Sequence, residues 1–287
     1  MRVTMQYKML FVALSAIGAI ATCYFALGAW IIHFELDRFL FPNIAVAEKT
    51  SEDAFFRVGT INSDSDIIVR RYGKAEKGCV IFFPGQHAGV LDYERYLFPK
   101  LEIAGMEVFS ISYPGQEGSI GSTDISELQK LIGKVIVYVD KTCSMSRTVF
   151  VGRSLGSMLA VYSAPAGRPA GVVIEGVAPS LSSAMQVYLS KTWYLQPLRL
   201  LPVKALLQYD YSLAEAFTKM RGVPVVIFQG AEDKTTPIEC LISETSFPSN
   251  VRLRLIEGGT HSNTYRIAID EYVNTVVEMA MKGTYAK

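Results

Sequence analysis

The stretch Thr148-Val149-Phe150-Val151-Gly152-Arg153-Ser154-Leu155-Gly156-Ser157-Met158 decides the fold of this chain. Four residues suited to a buried strand run into Gly-x-Ser-x-Gly. An apolar run, Met158-Leu159-Ala160-Val161, then continues as a helix would. A serine at such a strand-to-helix turn is a nucleophile elbow. The turn is too tight for side chains at the flanking positions, so glycine occupies both. Its strain holds the serine Oγ clear of the backbone. The pentapeptide alone is a weak signal, and its bland reading is a serine that caps a helix. The partners it needs must be found elsewhere in the chain.

A serine hydroxyl is a poor nucleophile at neutral pH and requires a base. The chain has three histidines. His33 ends a long apolar segment, and His87 lies in a glycine-bearing loop. His261 lies in Glu257-Gly258-Gly259-Thr260-His261-Ser262-Asn263, directly after the alternating run Val251-Arg252-Leu253-Arg254-Leu255-Ile256. A strand followed by a Gly-rich loop near the C-terminus is where an elbow of this kind finds its base. The orienting acid belongs between serine and histidine in chain order. Asp233 follows the buried run Val225-Val226-Ile227-Phe228 and a turn, and is the expected acid. Glu232, Glu175 and Asp210 are its rivals. Two backbone N–H groups must bind the oxyanion. Leu155, after the nucleophile, supplies one. The loop Pro84-Gly85-Gln86-His87-Ala88-Gly89, after the strand Cys79-Val80-Ile81-Phe82-Phe83, supplies the other through Gln86.

These motifs, in this order, resemble those of the BEM46-like α/β-hydrolases. Phe83-Pro84-Gly85-Gln86-His87-Ala88-Gly89 is similar to that family's oxyanion loop, and Tyr113-Pro114-Gly115-Gln116-Glu117-Gly118-Ser119 to its next turn. Gly230 to Pro237 fits its acid turn, and Gly258 to Asn263 its histidine loop. Leu198 to Leu201, through Tyr209 to Ser212, resembles its cap segment. The likeness spans roughly residues 54–280. Pro84 and Pro114 depart from the usual His and Arg, which bears on substrate more than on chemistry. The resemblance implies a serine hydrolase of esters or thioesters, commonly with an N-terminal membrane anchor and without a cofactor.

Residues 9–32 carry no charge, and a bilayer needs about 20 apolar residues. Arg2 and Lys8 precede the stretch, and an acidic balance follows it. The positive-inside rule then predicts a cytoplasmic N-terminus, 1–8, and a transmembrane anchor, 9–32. A tether, 33–53, follows, then a hydrolase domain, 54–287, on the non-cytoplasmic side. A cleaved signal peptide is the competing reading, but the apolar run is longer than the usual h-region. Thr22 before Cys23 is a poor lipoprotein site. With a net charge of +1 over 287 residues and no basic block, the chain does not read as a nucleic-acid binder.

Four cysteines show no metal-ligand spacing, so no metal is expected. In the fold that the resemblance implies, Cys79 and Cys143 fall at the same end of neighbouring parallel strands. Both a disulfide and separate buried thiols fit, and separate thiols are the plainer expectation.

The hydrophobic pattern predicts strands near 55–61, 66–72, 78–83, 106–112, 147–152, 170–175, 223–229 and 250–256. It predicts helices near 91–104, 124–141, 154–165, 239–245 and 262–281. Alternation of this kind predicts an α/β fold: a mostly parallel eight-stranded sheet with helices on both faces. An insertion at 180–222, rich in aromatic and apolar residues, is the expected small helical cap. His87, Arg153, Trp193 and Tyr194 are candidate substrate contacts, the substrate being a small-molecule or lipid-like ester or thioester. The bland readings are a solvated loop histidine, an Arg153 stem packed over the elbow and paired with a carboxylate, and cap aromatics that merely dock the cap. An acyltransferase on the same scaffold and a catalytically silent, membrane-tethered binding module are the competing functions.

Overall fold

Every residue of β3 (Gly78–Phe83) is buried, and its side chains divide between two layers. Cys79, Ile81 and Phe83 join one core cluster, and Val80 and Phe82 the other. A strand that alternates between two dry faces belongs to a sheet covered by helices on both sides. The computed structural model describes residues 2–43, 55–59, 65–86, 90–122, 125–220 and 222–283.

The strands are β1 (Phe55–Gly59), β2 (Asp66–Tyr72), β3, β4 (Met106–Ser112), β5 (Thr148–Arg153), β6 (Gly171–Glu175), β7 (Val225–Gly230) and β8 (Val251–Ile256). They form one eight-stranded sheet in the order β1-β2-β4-β3-β5-β6-β7-β8. β1 with β2 and β2 with β4 are antiparallel, and all other pairs are parallel. The crossover places β3 between β4 and β5, so the loop after β3 and the turn after β5 emerge side by side.

One layer is formed by α5 (Ile125–Thr142) and α6 (Leu155–Gly167). In α5 the buried residues are Ile125, Leu128, Leu131, Ile132, Val135, Ile136 and Val139, the stripe of a helix resting on a sheet. The opposite layer contains α3 (Val90–Tyr96), α4 (Phe98–Ile103) and α12 (Ile269–Lys282). The expected helix 91–104 is thus two helices that meet at Leu97. Pro99, in the first turn of α4, lacks the N–H that a continuous helix would need. The expected helix 262–281 likewise divides into α11 (Thr264–Ile267) and α12 at Ala268. Helix α10 (Ile238–Glu244) follows β7. The cap lies between β6 and β7. It holds α7 (Leu181–Ser190), a 3-10 turn (Gln196–Leu200), α8 (Val203–Leu206) and α9 (Leu213–Lys219).

The N-terminal helix α1 (Arg2–Phe34) contains a 28-residue segment, Tyr7–Phe34, within which an 18-residue stretch reaches a mean hydropathy of 2.1. It is long and apolar enough to cross a membrane, and its side chains are exposed from Tyr7 to Cys23. Beyond that it docks on the cap. His33 Nδ1 lies 2.7 Å from the Leu206 carbonyl, and Gln208 Nε2 donates to the His33 carbonyl at 3.1 Å. Helix α2 (Leu36–Leu40) follows. The stretch expected to be a tether, 33–53, is described only to Asn43, and that part packs on the body. Leu36, Leu40 and Phe41 are buried, and the Phe41 ring meets Tyr113 edge-on at 5.4 Å. Apolar residues one helical turn apart turn a nominal linker into core.

Cys79, at the start of β3, and Cys143, just before β5, are joined in a disulfide. The plainer expectation of separate thiols does not hold for this pair. Cys240 and Cys23 are free.

Candidate active site

Ser154 stands between β5 and α6 with φ 52° and ψ −120°. Few non-glycine residues adopt such a conformation, and its neighbours impose it. A Cβ at position 152 would come within 2.4 Å of the Gly156 carbonyl oxygen. At position 156 it would come within 2.0 Å of the Phe83 oxygen. Glycine at both places lets strand, turn and helix close on one another. The Ser154 N–H donates to the Glu175 carbonyl at 2.8 Å, and the Ser157 hydroxyl lies within 2.9 Å of the Gly152 and Glu175 carbonyls. The turn is therefore tied to β6 as well as to its own strand.

The structure brings the three expected residues into one hydrogen-bonded line. His261 Nε2 lies 3.0 Å from Ser154 Oγ, and His261 Nδ1 lies 2.9 Å from Asp233 Oδ2. The three come from the C-terminal ends of β5, β7 and β8, which the parallel sheet places at one edge. Asp233 is 4% exposed and densely bonded. The Thr235 and Thr236 N–H groups donate to its Oδ1 at 2.8 and 2.9 Å, and Thr236 Oγ1 donates to Oδ2 at 2.7 Å. Burial works against its charge, but the hydrogen bonds from His261 and Thr236 prevail and hold its carboxyl below the ordinary value. Thr236 was not among the expected residues. Its spacing of three from Asp233, in an Asp-x-x-Thr turn, is the signal that a backbone-wrapped carboxylate leaves in sequence.

Glu175, a rival acid, is held elsewhere. Its Oε1 accepts the Tyr265 N–H at 2.9 Å and lies 3.9 Å from Arg153 Nε. Burial pushes its pKa up to about 7, against the pull of Arg153 and Tyr265. Asp210 accepts from Ser182 inside the cap. Arg153, expected as a substrate contact, uses its guanidinium internally. It donates to Tyr93 Oη at 3.0 Å and to the His261 carbonyl, and it lies 5.9 Å from the rings of Tyr93 and Tyr265. It buttresses the histidine loop.

The Leu155 N–H opens α6, so it has no acceptor within the helix. The Gln86 side chain donates to the Phe39 carbonyl, linking the loop after β3 to α2. Pro84, in the same loop, accepts from Tyr113 Oη at 3.0 Å. His87 lies outside the described residues.

Two pockets meet at Ser154. A narrow one, about 130 Å³, is apolar and reaches Leu40, Met158, Leu181, Ala184 and Met185. A wider one, about 600 Å³, is more polar and is bounded by Gln86, Thr235, His261, Ser262, Lys191 and Arg266. Phe39 and Tyr188 border both, and their rings meet at 5.0 Å. Trp193 and Tyr194, expected as substrate contacts, line neither pocket. They are 81% and 54% exposed on the outer side of the cap. The residues that do reach the site are not among the candidate substrate contacts: Phe39 and Leu40 in a supposed linker, and Tyr188 and Lys191 at the end of α7. Aromatic composition marks a cap but does not say which side faces inward.

No protein-family model and no curated protein matches this sequence. Solved structures do match in shape. An esterase from Pyrococcus furiosus superposes with a TM-score of 0.65 at 15% identity, covering 85% of this chain and 97% of its own. An alpha-beta hydrolase from Vibrio vulnificus gives 0.64 at 14% identity, covering 85% and 92%. A monoacylglycerol lipase from Paleococcus ferrophilus gives 0.52 at 21% identity, covering 76% and 99%. The chain has the α/β-hydrolase fold.

Proposed function

We propose that this chain is a membrane-anchored serine hydrolase that cleaves carboxylic esters or thioesters with lipid-like acyl groups. The carrying observation is the unbroken line from Ser154 Oγ through His261 to the buried Asp233 carboxylate, at 3.0 and 2.9 Å. His261 takes the proton of Ser154 as the oxygen attacks the carbonyl carbon. Asp233 holds the imidazole with Nε2 toward serine and stabilises the imidazolium. The N–H groups of Leu155 and Gln86 bind the oxyanion, each worth about 3–4 kcal/mol to the transition state. His261 then protonates the departing alcohol or thiol. Water attacks the acyl-enzyme by the same route, giving back the free serine and a carboxylic acid.

The two pockets supply the division of labour. The narrow apolar one suits an acyl chain, and the wider, more polar one suits the leaving group and the incoming water. The Cys79–Cys143 disulfide supports a catalytic domain on the oxidising, non-cytoplasmic side, as the charge balance around α1 also does.

The experiment is covalent labelling by a fluorophosphonate, comparing the full-length protein in detergent with Ser154→Ala. Full length is required because α1 and α2 pack on the body. Labelling that disappears in the variant is the expected result. A folded wild-type protein that stays unlabelled would overturn the reading.

A further inference from the structure

We propose that the tip of the cap is a second membrane-contact surface, seated in the same bilayer as α1. The partner is the lipid bilayer itself, at the boundary between acyl chains and headgroups. The proposal rests on the reading of α1 as a membrane span.

Three large side chains stand out from the cap into open surroundings. Trp193 is 81% exposed, Tyr194 54% and Leu200 82%. Packing within the protein accounts for none of this exposure. Tryptophan and tyrosine joined to an exposed leucine match the depth at which a bilayer changes from apolar to polar.

Their position relative to α1 sets that depth. Tyr24 Oη donates to the Tyr194 carbonyl, so the cap tip is level with Tyr24. Leu198 of the cap fills the space beside Gly28. Lys8 is the last charge before the apolar stretch. From Met9 to Tyr24 the helix rises about 22 Å, at about 1.5 Å per residue. A bilayer's hydrocarbon core is about 30 Å thick. A helix that enters the core at Met9 is therefore still inside it at Tyr24, and whatever is level with Tyr24 is inside it too. Arg199 and Lys204, both exposed, flank Leu200 and are placed to reach headgroups by extending their stems.

The chain has only two tryptophans, Trp30 and Trp193, which makes the test direct. The full-length Trp30→Phe protein, in phosphatidylcholine vesicles brominated at known acyl positions, reports Trp193 alone. A second protein, Ile17→Trp in the background Trp30→Phe and Trp193→Phe, reports the middle of α1. The expected result is quenching of Trp193 by bromines near the top of the chain, and quenching of the second protein by deep bromines. An unquenched Trp193 alongside a quenched second protein would overturn the cap proposal and leave the span intact. Quenching of neither would remove the span reading and the proposal with it. Should Trp30→Phe not fold, Trp30→Tyr serves the same purpose.

Discussion

The carboxylate of Glu175 lies 3.9 Å from the Arg153 Nε, while that of Asp233 lies 2.9 Å from His261 Nδ1. Two buried acids at the same edge of the sheet thus have different tasks: one holds the scaffold of the histidine loop, the other the histidine itself.

Exchanging them one at a time separates those tasks. Asp233→Asn removes the charge that fixes the imidazole tautomer, and kcat falls by about 10⁴. Glu175→Gln keeps an acceptor for the Tyr265 N–H and changes kcat by less than about tenfold. Steady-state hydrolysis of a chromogenic ester by the two variants checks this. A larger loss in Glu175→Gln would reverse the assignment.

Glu175 also marks stability against pH. Its carboxyl titrates near 7 in the folded protein against an ordinary value of 4.5. Below 4.5 both folded and unfolded chains hold the proton, and the group contributes nothing. Between 4.5 and 7 the folded chain keeps a proton that the unfolded chain has lost, so this contribution falls as pH rises. Above 7 the loss is complete. The slope reaches at most about 1.4 kcal/mol per pH unit. Unfolding curves between pH 5 and 8 should show this one-proton component in the wild type and not in Glu175→Gln.

Chain-length selectivity should follow the narrow pocket. Ala184, on α7, lines it. Ala184→Phe narrows it, and kcat/KM for long-chain esters is expected to drop at least about tenfold while short esters are unaffected. A series of p-nitrophenyl esters of increasing acyl length checks this. A uniform drop at every length would show that the pocket does not hold the acyl group.

The disulfide closes a loop of 64 residues. A crosslink of that span stabilises by about 4 kcal/mol on a chain-entropy view. Cys79→Ala with Cys143→Ala should lower the denaturant midpoint accordingly, and reductant should reproduce the effect in the wild type only. Equal response of both proteins to reductant would place the effect at another site.

Much of this was legible in the amino-acid order, for identifiable reasons. The strand runs around Ile81, Phe150, Val173 and Ile227 are buried on both faces, so they read as continuous apolar segments. Ser154 and Asp233 follow such runs, His261 follows the alternating run Val251–Ile256, and parallel strands deliver the residues after them to one edge. The docking of α2 was not legible, because Glu35, Asp37 and Arg38 gave the segment the polarity of a linker. Leu36, Leu40 and Phe41 are too few to announce a helix against that background. The facing of Trp193 was not legible either, since it depends on how four short helices stack.

Gly28 bears on more than close packing. With Leu198 lodged where a side chain would project, α1 is keyed to the cap. On the membrane-anchored reading proposed above, such a helix would hold Ser154 at a constant height and heading above the bilayer. Encounters with a lipid-like substrate would then become a two-dimensional search, in which a molecule diffusing in the leaflet always meets the same side of the protein.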